Sequence, residues 1–347
     1  MRLPTEKVAG SKREDGSVTE LDALDRALLE QMQAGVPLVP RPFAALGEGM
    51  GLRQTEVLAR VRRLKDANVI RQIGAIFDTR RLGYQSTLVA FHTEDGELED
   101  VAARVSAHPG VSHNYARPHH YNLWFTLAVP SGHDVEQEIQ RLARQTSVAD
   151  WLNLPALRVF KIRTHFKLED RNRHGGADTP SVTRAQGRDL TRDDIPYVRA
   201  LQQDLPLIPR PFAEVAGRLG LKEEDLVDRA LELRAAGIMR RFSAVLRHRR
   251  VGYRANGMAC WIVPEERIEV AGRLAAQHPE VSHCYQRPAH PPGWPYTLFT
   301  MIHGQTKSDV EAVVARISHE IGIERIQVLY STHEFKKERI RYFEEET

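Results

Sequence analysis

The chain has 347 residues, 41% of them hydrophobic and 27% charged, a balance that excludes a wholly disordered or fibrous protein. No apolar run approaches the roughly 18–20 residues that span a bilayer, and the stretch Met1 to Glu20 is polar, with no signal-type hydrophobic segment. Two cysteines, Cys260 and Cys284, are too few for a disulfide framework or a four-thiolate zinc site, so a soluble cytoplasmic protein is expected. A net charge of +3 is too small to mark a nucleic-acid binder by itself.

Taken in chain order, Leu21–Gln33 has helical spacing of its leucines, and the Pro-rich turn at 37–42 ends it. A short helix starts near Phe43, and Gly51 introduces a longer one over Leu52–Ala67. β-type sequence follows at Ile70–Phe77, with a turn at Arg80–Gly83. Three helices and a two-stranded wing predict a winged helix-turn-helix. The next part reads strand (Gln85–His92), helix (Leu98–His108), strand (Ser112–Arg117), strand (Tyr121–Val129), helix (Asp134–Gln145), strand (Leu157–Thr164). That β-α-β-β-α-β order is the ferredoxin-like unit.

The whole pattern then repeats. Val36-Pro-Leu-Val-Pro-Arg-Pro-Phe43 lies on Leu205-Pro-Leu-Ile-Pro-Arg-Pro-Phe212, and His108-Pro-Gly-Val-Ser-His-Asn-Tyr115 on His278-Pro-Glu-Val-Ser-His-Cys-Tyr285. Thr164-His165 and Thr332-His333 close the halves, each followed by Phe and Lys. The second ferredoxin-like set falls at Met258–Val263, Glu266–Gln277, Ser282–Arg287, Tyr296–His303, Ser308–Ile321 and Ile326–Ser331. The fold class is therefore α+β, a tandem repeat of two units. Winged helix-turn-helix units are expected at 20–76 and 195–251, ferredoxin-like domains at 77–168 and 252–340, and a polar linker at 169–194.

A helix-turn-helix beside a small-molecule domain suggests a DNA-binding regulator. The first candidate recognition helix suits that role, with Arg53, Gln54, Arg60, Arg62, Arg63 and Lys65. The second opens Lys222-Glu-Glu-Asp225 and adds Asp228 and Glu232, acids that repel phosphates. A two-fold DNA reader needs two competent helices. The charge pattern argues against that role.

Of 15 histidines, the densest group is His113-Asn-Tyr-Ala-Arg-Pro-His-His-Tyr-Asn122. On a strand His113, Tyr115 and Arg117 share one face, with His119 and His120 in the following turn. These groups can supply a proton donor and a carboxylate clamp. The second half keeps His283, Tyr285 and Arg287 but puts Ala289 in place of His119, within Pro288-Ala-His-Pro-Pro-Gly-Trp294. This divergence suggests one composite site, with chemistry from the first half and an apolar wall from the second. Repeated arginines, Arg41/Arg210, Arg71/Arg240, Arg80/Arg249, Arg81/Arg250 and Arg117/Arg287, suit an anionic ligand. Glycine-rich phosphate loops, zinc spacings and nucleophile elbows are missing.

Both halves resemble Lrp/AsnC-type proteins. Leu38-Val-Pro-Arg-Pro-Phe43, Arg71-Gln-Ile-Gly-Ala-Ile-Phe77, the His113–Asn122 stretch and Gly293-Trp-Pro-Tyr296 look more specifically like siroheme decarboxylases. The resemblance implies fused D-like and L-like halves that pair as an internal pseudo-dimer around siroheme. It also implies loss of two acetate carboxyl groups, giving 12,18-didecarboxysiroheme for haem d1 or alternative haem synthesis. No cofactor beyond the iron tetrapyrrole substrate and no bound metal of the protein's own are implied. The proton donors expected are His113, His119 and His120. The expected binding residues are Arg71, Tyr115, Arg117, Tyr121, Arg240 and Arg241 with His283, Arg287, His290 and Trp294, His290 being also a candidate iron ligand.

Overall fold

Strand pairing, more than helix packing, decides how the two halves meet. A computed structural model describes residues 21–162, 188–246 and 255–344. In the first half α1 (Ala23–Ala34) starts at a capping box in which Asp22 accepts from Asp25 N at 2.6 Å. α2 (Pro42–Glu48) begins on a proline at its first position, and α3 (Gln54–Asp66) buries Val57, Leu58, Val61 and Leu64. Gly47 in the last turn of α2 is required there: a Cβ would lie 2.3 Å from the Leu52 carbonyl oxygen. β1 (Ile70–Phe77) follows.

The sheet of the first half is built from β2 (Tyr84–Phe91), β3 (Val111–Ala116), β4 (Leu123–Pro130) and β5 (Trp151–Pro155), with α4 (Leu98–Ala107) and α5 (Val135–Gln145) on one face. After β6 (Arg158–Ile162) the second half supplies α6 (Ile195–Leu201), α7 (Pro211–Arg218), α8 (Glu223–Ala235) and β7 (Met239–Leu246). Its sheet comes from β8 (Ala255–Trp261), β9 (Val281–Gln286), β10 (Leu298–Gly304) and β11 (Ile326–Tyr330). Helices α9 (Ile268–Gln277) and α10 (Lys307–Ile321) cover it, and β12 (His333–Lys337) ends the set.

Two expectations change here. The halves do not each form a two-stranded wing: β1 pairs antiparallel with β7, Gly74 opposite Ser243, so one ribbon is shared. Nor does the strand expected at Leu157–Thr164 complete its own sheet. β5 does that, while β6 crosses to β9, and β12 crosses back to β3. The five-stranded sheets therefore run β12-β3-β4-β2-β5 and β11-β8-β10-β9-β6. Each half lends the other an edge strand, which covers β3 and β9 and leaves the short strands β12 and β6 outermost.

The sheet faces away from the helices pack on each other through Trp124, Leu152, Leu154, Met258, Phe299 and Leu329. All the helix-turn-helix elements share one core, which Tyr342 joins; its hydroxyl lies 2.8 Å from Thr79 Oγ1. The end of the expected linker is docked rather than free: Asp194 is fully buried and bonded by Arg188 and Thr191. Thr164, His165, Arg249 and Arg250 lie outside the described residues. Among the described residues no helix is long and apolar enough to cross a membrane.

The basic groups of α3 are committed within the chain. Arg60 bonds Asp22 and Asp25, Arg62 donates to the Leu207 carbonyl, Gln54 to that of Pro209, and Lys65 pairs with Asp204. The contacts to Leu207, Pro209 and Asp204 reach the second half, so the surface a DNA groove would need is occupied in part by the fold itself. An open hollow of about 980 Å³ between α1 and α3 has its Asp22, Asp25, Arg60 and Arg63 paired with one another.

Candidate functional site

Alternation on β3 sends Asn114 towards α4, where it donates to the Ala102 carbonyl at 3.1 Å, and sends His113, Tyr115 and Arg117 to the opposite face. β9 repeats this with His283, Tyr285 and Arg287. Lys337 of β12 stands directly across from His113, and Ile162 of β6 across from His283. His113 Nδ1 is 2.9 Å from Ser112 Oγ, which lies 2.7 Å from Thr126 Oγ1. His283 Nδ1 is 2.8 Å from Ser282 Oγ, which lies 2.7 Å from His303 Nε2.

These imidazoles keep some accessible surface, yet their environment opposes a positive charge. Burial, then the charges of Lys337, Arg71 and His283, pushes His113 down to about 3. Burial and Arg287 push His283 down to about 4, and burial with His283 and Lys337 does the same to His303.

The cations come from the shared ribbon and the C-terminal tail. Arg241 of β7 is held down by burial and by Arg240. Arg339 donates to the Ala75 carbonyl at 2.9 Å, while its Nη2 is buried with no hydrogen-bond partner. Burial, Arg71 and Arg241 push Arg339 down to about 10. A buried guanidinium donor left open among further cations is costly unless an anion meets it. The ribbon end of the sandwich is thus a cationic cleft with three imidazoles in its wall.

The structure does not bring all the expected residues into this cleft. His119 and His120 lie past the other end of β3; extended chain from His113 to Arg117 alone spans about 13 Å. His119 sits edge-on to Trp294 at 5.3 Å, and His120 bonds Asp150 at 2.7 Å while stacking on His92 at 4.0 Å. Tyr121 donates to Asp150 at 3.1 Å, and burial followed by Asp150 pushes it up to about 12. Trp294 is fully buried, and His290 Nε2 lies 3.0 Å from the Asn153 carbonyl oxygen. His113 and the pair His119 and His120 thus stand at opposite ends of β3 rather than in one cluster.

Arg117 and Arg287 also differ from open carboxylate clamps. Arg117 donates to the Leu329 carbonyl at 2.6 Å and Arg287 to that of Leu154, matched ties from each half to the other. Burial pushes both down to about 10. Arg240 pairs with Asp78 at 2.7 Å and is half exposed. Tyr115 and Tyr285 flank these arginines, at 5.9 and 4.9 Å from the guanidinium carbons. Sequence reasoning missed Lys337, Arg339, Ser282 and His303. The repeated Thr-His ending with its Phe and Lys stops at Lys336, one residue short of Lys337.

Comparison with known proteins agrees with this architecture. The family described as "Siroheme decarboxylase NirDL-like HTH domain" matches residues 25–71 and 197–240, and "AsnC-like ligand binding domain" matches 81–161 and 250–336. The chain is 41% identical to a siroheme decarboxylase of Hydrogenobacter thermophilus, covering 92% of this chain and 95% of that one. It is 43% identical to the siroheme decarboxylase beta subunit of Methanosarcina barkeri, over 44% of this chain and 99% of the subunit. A crystal structure of the siroheme decarboxylase NirDL with an iron-uroporphyrin III analogue superposes with a TM-score of 0.70 at 37% identity, covering 92% of this chain and 94% of that one.

Proposed function

This chain belongs to the siroheme decarboxylase family, and from that premise we propose that its cationic cleft takes siroheme and releases two acetate carboxyl groups as carbon dioxide. The product is 12,18-didecarboxysiroheme, a precursor for haem d1 or the alternative haem route. The activity is that of a carboxy-lyase; a DNA-binding role is not favoured, because α3 is engaged within the chain and α8 is acidic.

The observation that carries the reading is the set of Arg71, Arg241, Arg339 and Lys337 around His113 and His283, with Arg339 Nη2 still open. Carboxylates that are retained would meet these cations; a carboxylate that departs must be poorly solvated. Loss of carbon dioxide breaks the bond between methylene and carboxyl carbons and leaves the electron pair on the methylene. The macrocycle spreads that charge until a proton arrives, so the proposal includes no further cofactor.

The proton source needs an imidazolium. In the free protein the cleft imidazoles are neutral near pH 7, because burial and the cations depress them. A polyanionic ring neutralises those cations and raises the imidazoles towards their ordinary range. Substrate binding then carries proton uptake with it. The test is anaerobic incubation of the purified protein with siroheme, followed by mass spectrometry. Mono- and didecarboxylated products are expected without nucleotide or reductant; unchanged siroheme defeats the reading.

A further inference from the structure

The two halves offer His113 and His283 at matching positions, but the groups behind them differ. Behind His283 stands a chain of hydrogen bonds: Nδ1 to Ser282 Oγ at 2.8 Å, Ser282 Oγ to His303 Nε2 at 2.7 Å, and His303 Nδ1 to Asn256 Oδ1 at 2.6 Å. Behind His113 the chain runs to Ser112 and Thr126.

Strand register identifies the missing member. His303 N donates to the Glu280 carbonyl at 3.2 Å and pairs with Asn256; Ala128 N donates to the Gly110 carbonyl at 2.9 Å and pairs with Ser86. Ala128 therefore occupies in the first half the place of His303 in the second. Across the strands the difference reverses, with the cation Lys337 opposite His113 and the apolar Ile162 opposite His283.

We propose that the proton for the decarboxylated carbon is delivered through the second half, along His303, Ser282 and His283, and that His113 with Lys337 instead receives a retained carboxylate. This rests on the decarboxylase reading above. The polarity of the chain follows from its far end. The Asn256 oxygen can only accept, so His303 Nδ1 carries hydrogen, and neutral His303 takes the Ser282 hydroxyl proton at Nε2. Ser282 then accepts from His283 Nδ1–H, leaving a lone pair on His283 Nε2.

When the bound polyanion favours a cation, His303 takes up a proton at Nε2 and donates to Ser282, whose hydroxyl turns to His283 Nδ1, and His283 exchanges its Nδ1 proton for one on Nε2. His303 then passes its Nε2 proton to Ser282, whose own hydroxyl proton moves to His283 Nδ1. His283 gives its Nε2 proton to the methylene carbon, which holds the electron pair left by carbon dioxide. One proton is consumed per carboxyl group, and no oxidant or reductant enters. The charges that bear on the relay are Lys337 from β12, His113 from β3 and Arg287 from β9. Ser282 and His303 are positioning residues, acting through His283.

The experiment compares full-length variants for siroheme turnover and siroheme affinity across pH. His303→Gln and Ser282→Ala should lower kcat by about 100-fold or more while affinity changes little, since acid–base groups contribute about 10²–10⁴-fold. Ser282→Thr, which keeps the hydroxyl, should recover most of the rate. His303→Gln should also remove one ionisation from the kcat profile. Ser112→Ala and Lys337→Ala should act mainly on affinity. Equal kcat losses in Ser112→Ala and Ser282→Ala, or near-normal kcat in His303→Gln, overturn the proposal. If the wild-type protein yields no decarboxylated siroheme, the decarboxylase reading fails by itself. The relay is then read by imidazole nitrogen NMR of the siroheme-free protein. Neutral His283 and His303 should both carry hydrogen on Nδ1, and an Nε2–H form of neutral His303 overturns it.

Discussion

At the ribbon end of the sandwich His113 and His283 keep accessible surface among Arg71, Arg241 and Arg339; at the other end Trp294 is sealed beneath His119 and Tyr121. The same strands feed both ends. At the first, charge is concentrated and Arg339 Nη2 has no partner. At the second, His120 and Tyr121 have found Asp150 and His290 has found Asn153, and the open donor beneath them is the neutral Trp294 Nε1. An anion site is distinguished by an open charged donor among further cations, and a count of titratable residues does not measure that.

The largest expected effect tests the sealed end. Trp294→Ala removes a fully buried ring that packs on Trp124 of the other half at 5.2 Å and on Tyr296 of its own half at 4.7 Å. It should cost about 3–5 kcal/mol of stability by thermal or denaturant unfolding. A loss of siroheme turnover with unchanged stability would instead make this end part of the site.

At the ribbon end, Arg339→Ala should weaken siroheme binding by about 2–5 kcal/mol, the range for removing one side of a buried charged pair. Absorbance titration reads it, and an unchanged Kd would remove the cleft's main anion contact. His119→Ala, by comparison, should lower stability by about 1–2 kcal/mol through lost ring packing and change turnover less than His283→Ala does. A kcat loss matching that of His283→Ala would rejoin the two ends.

Proton uptake gives a third contrast. The ordinary imidazole value is 6.5, against about 3 for His113 and about 4 for His283 and His303 when folded. Below pH 6.5 the unfolded chain binds protons that these three refuse, so their contribution is complete above that pH and lost as pH falls towards 4, and towards 3 for His113. The siroheme-free melting temperature should fall across this window, and His303→Gln should flatten the slope. A melting temperature constant down to pH 4.5 would show that these groups are not held neutral. The smallest effect belongs to Arg240→Ala. Its exposed pairing with Asp78 should be worth about 0–1 kcal/mol, with siroheme affinity little changed.

The repeat, the helix-turn-helix spacing and the β-α-β-β-α-β order were all legible in the sequence, because apolar periodicity reports which face of an element is buried. Partner choice was not legible. β5, β6, β11 and β12 are each five residues long, and nothing within Arg158–Ile162 records that its neighbour is β9 rather than β2. The wing was misread for the same reason, since Ile70–Phe77 has the pattern of a ribbon strand whoever supplies the other half of the ribbon. At the site, His113 and His283 were visible through repetition. Lys337 and Arg339 gain their meaning only from the crossing of β12 and the tail behind it. His303 was hidden because it breaks the repeat, standing where the first half has Ala128.

The crossing of β12 also sets a timetable for synthesis. When the first half leaves the ribosome, β3 has no outer neighbour and β1 has no partner, because both partners are encoded further along the chain. At about 5–20 residues per second, β3 waits on the order of ten to forty seconds for β12. β3 is open to wrong partners throughout that interval, and β1 until β7 is made, including the same strands on a neighbouring nascent chain. Chaperone demand during translation should therefore peak midway through this protein and end abruptly when its last strand arrives.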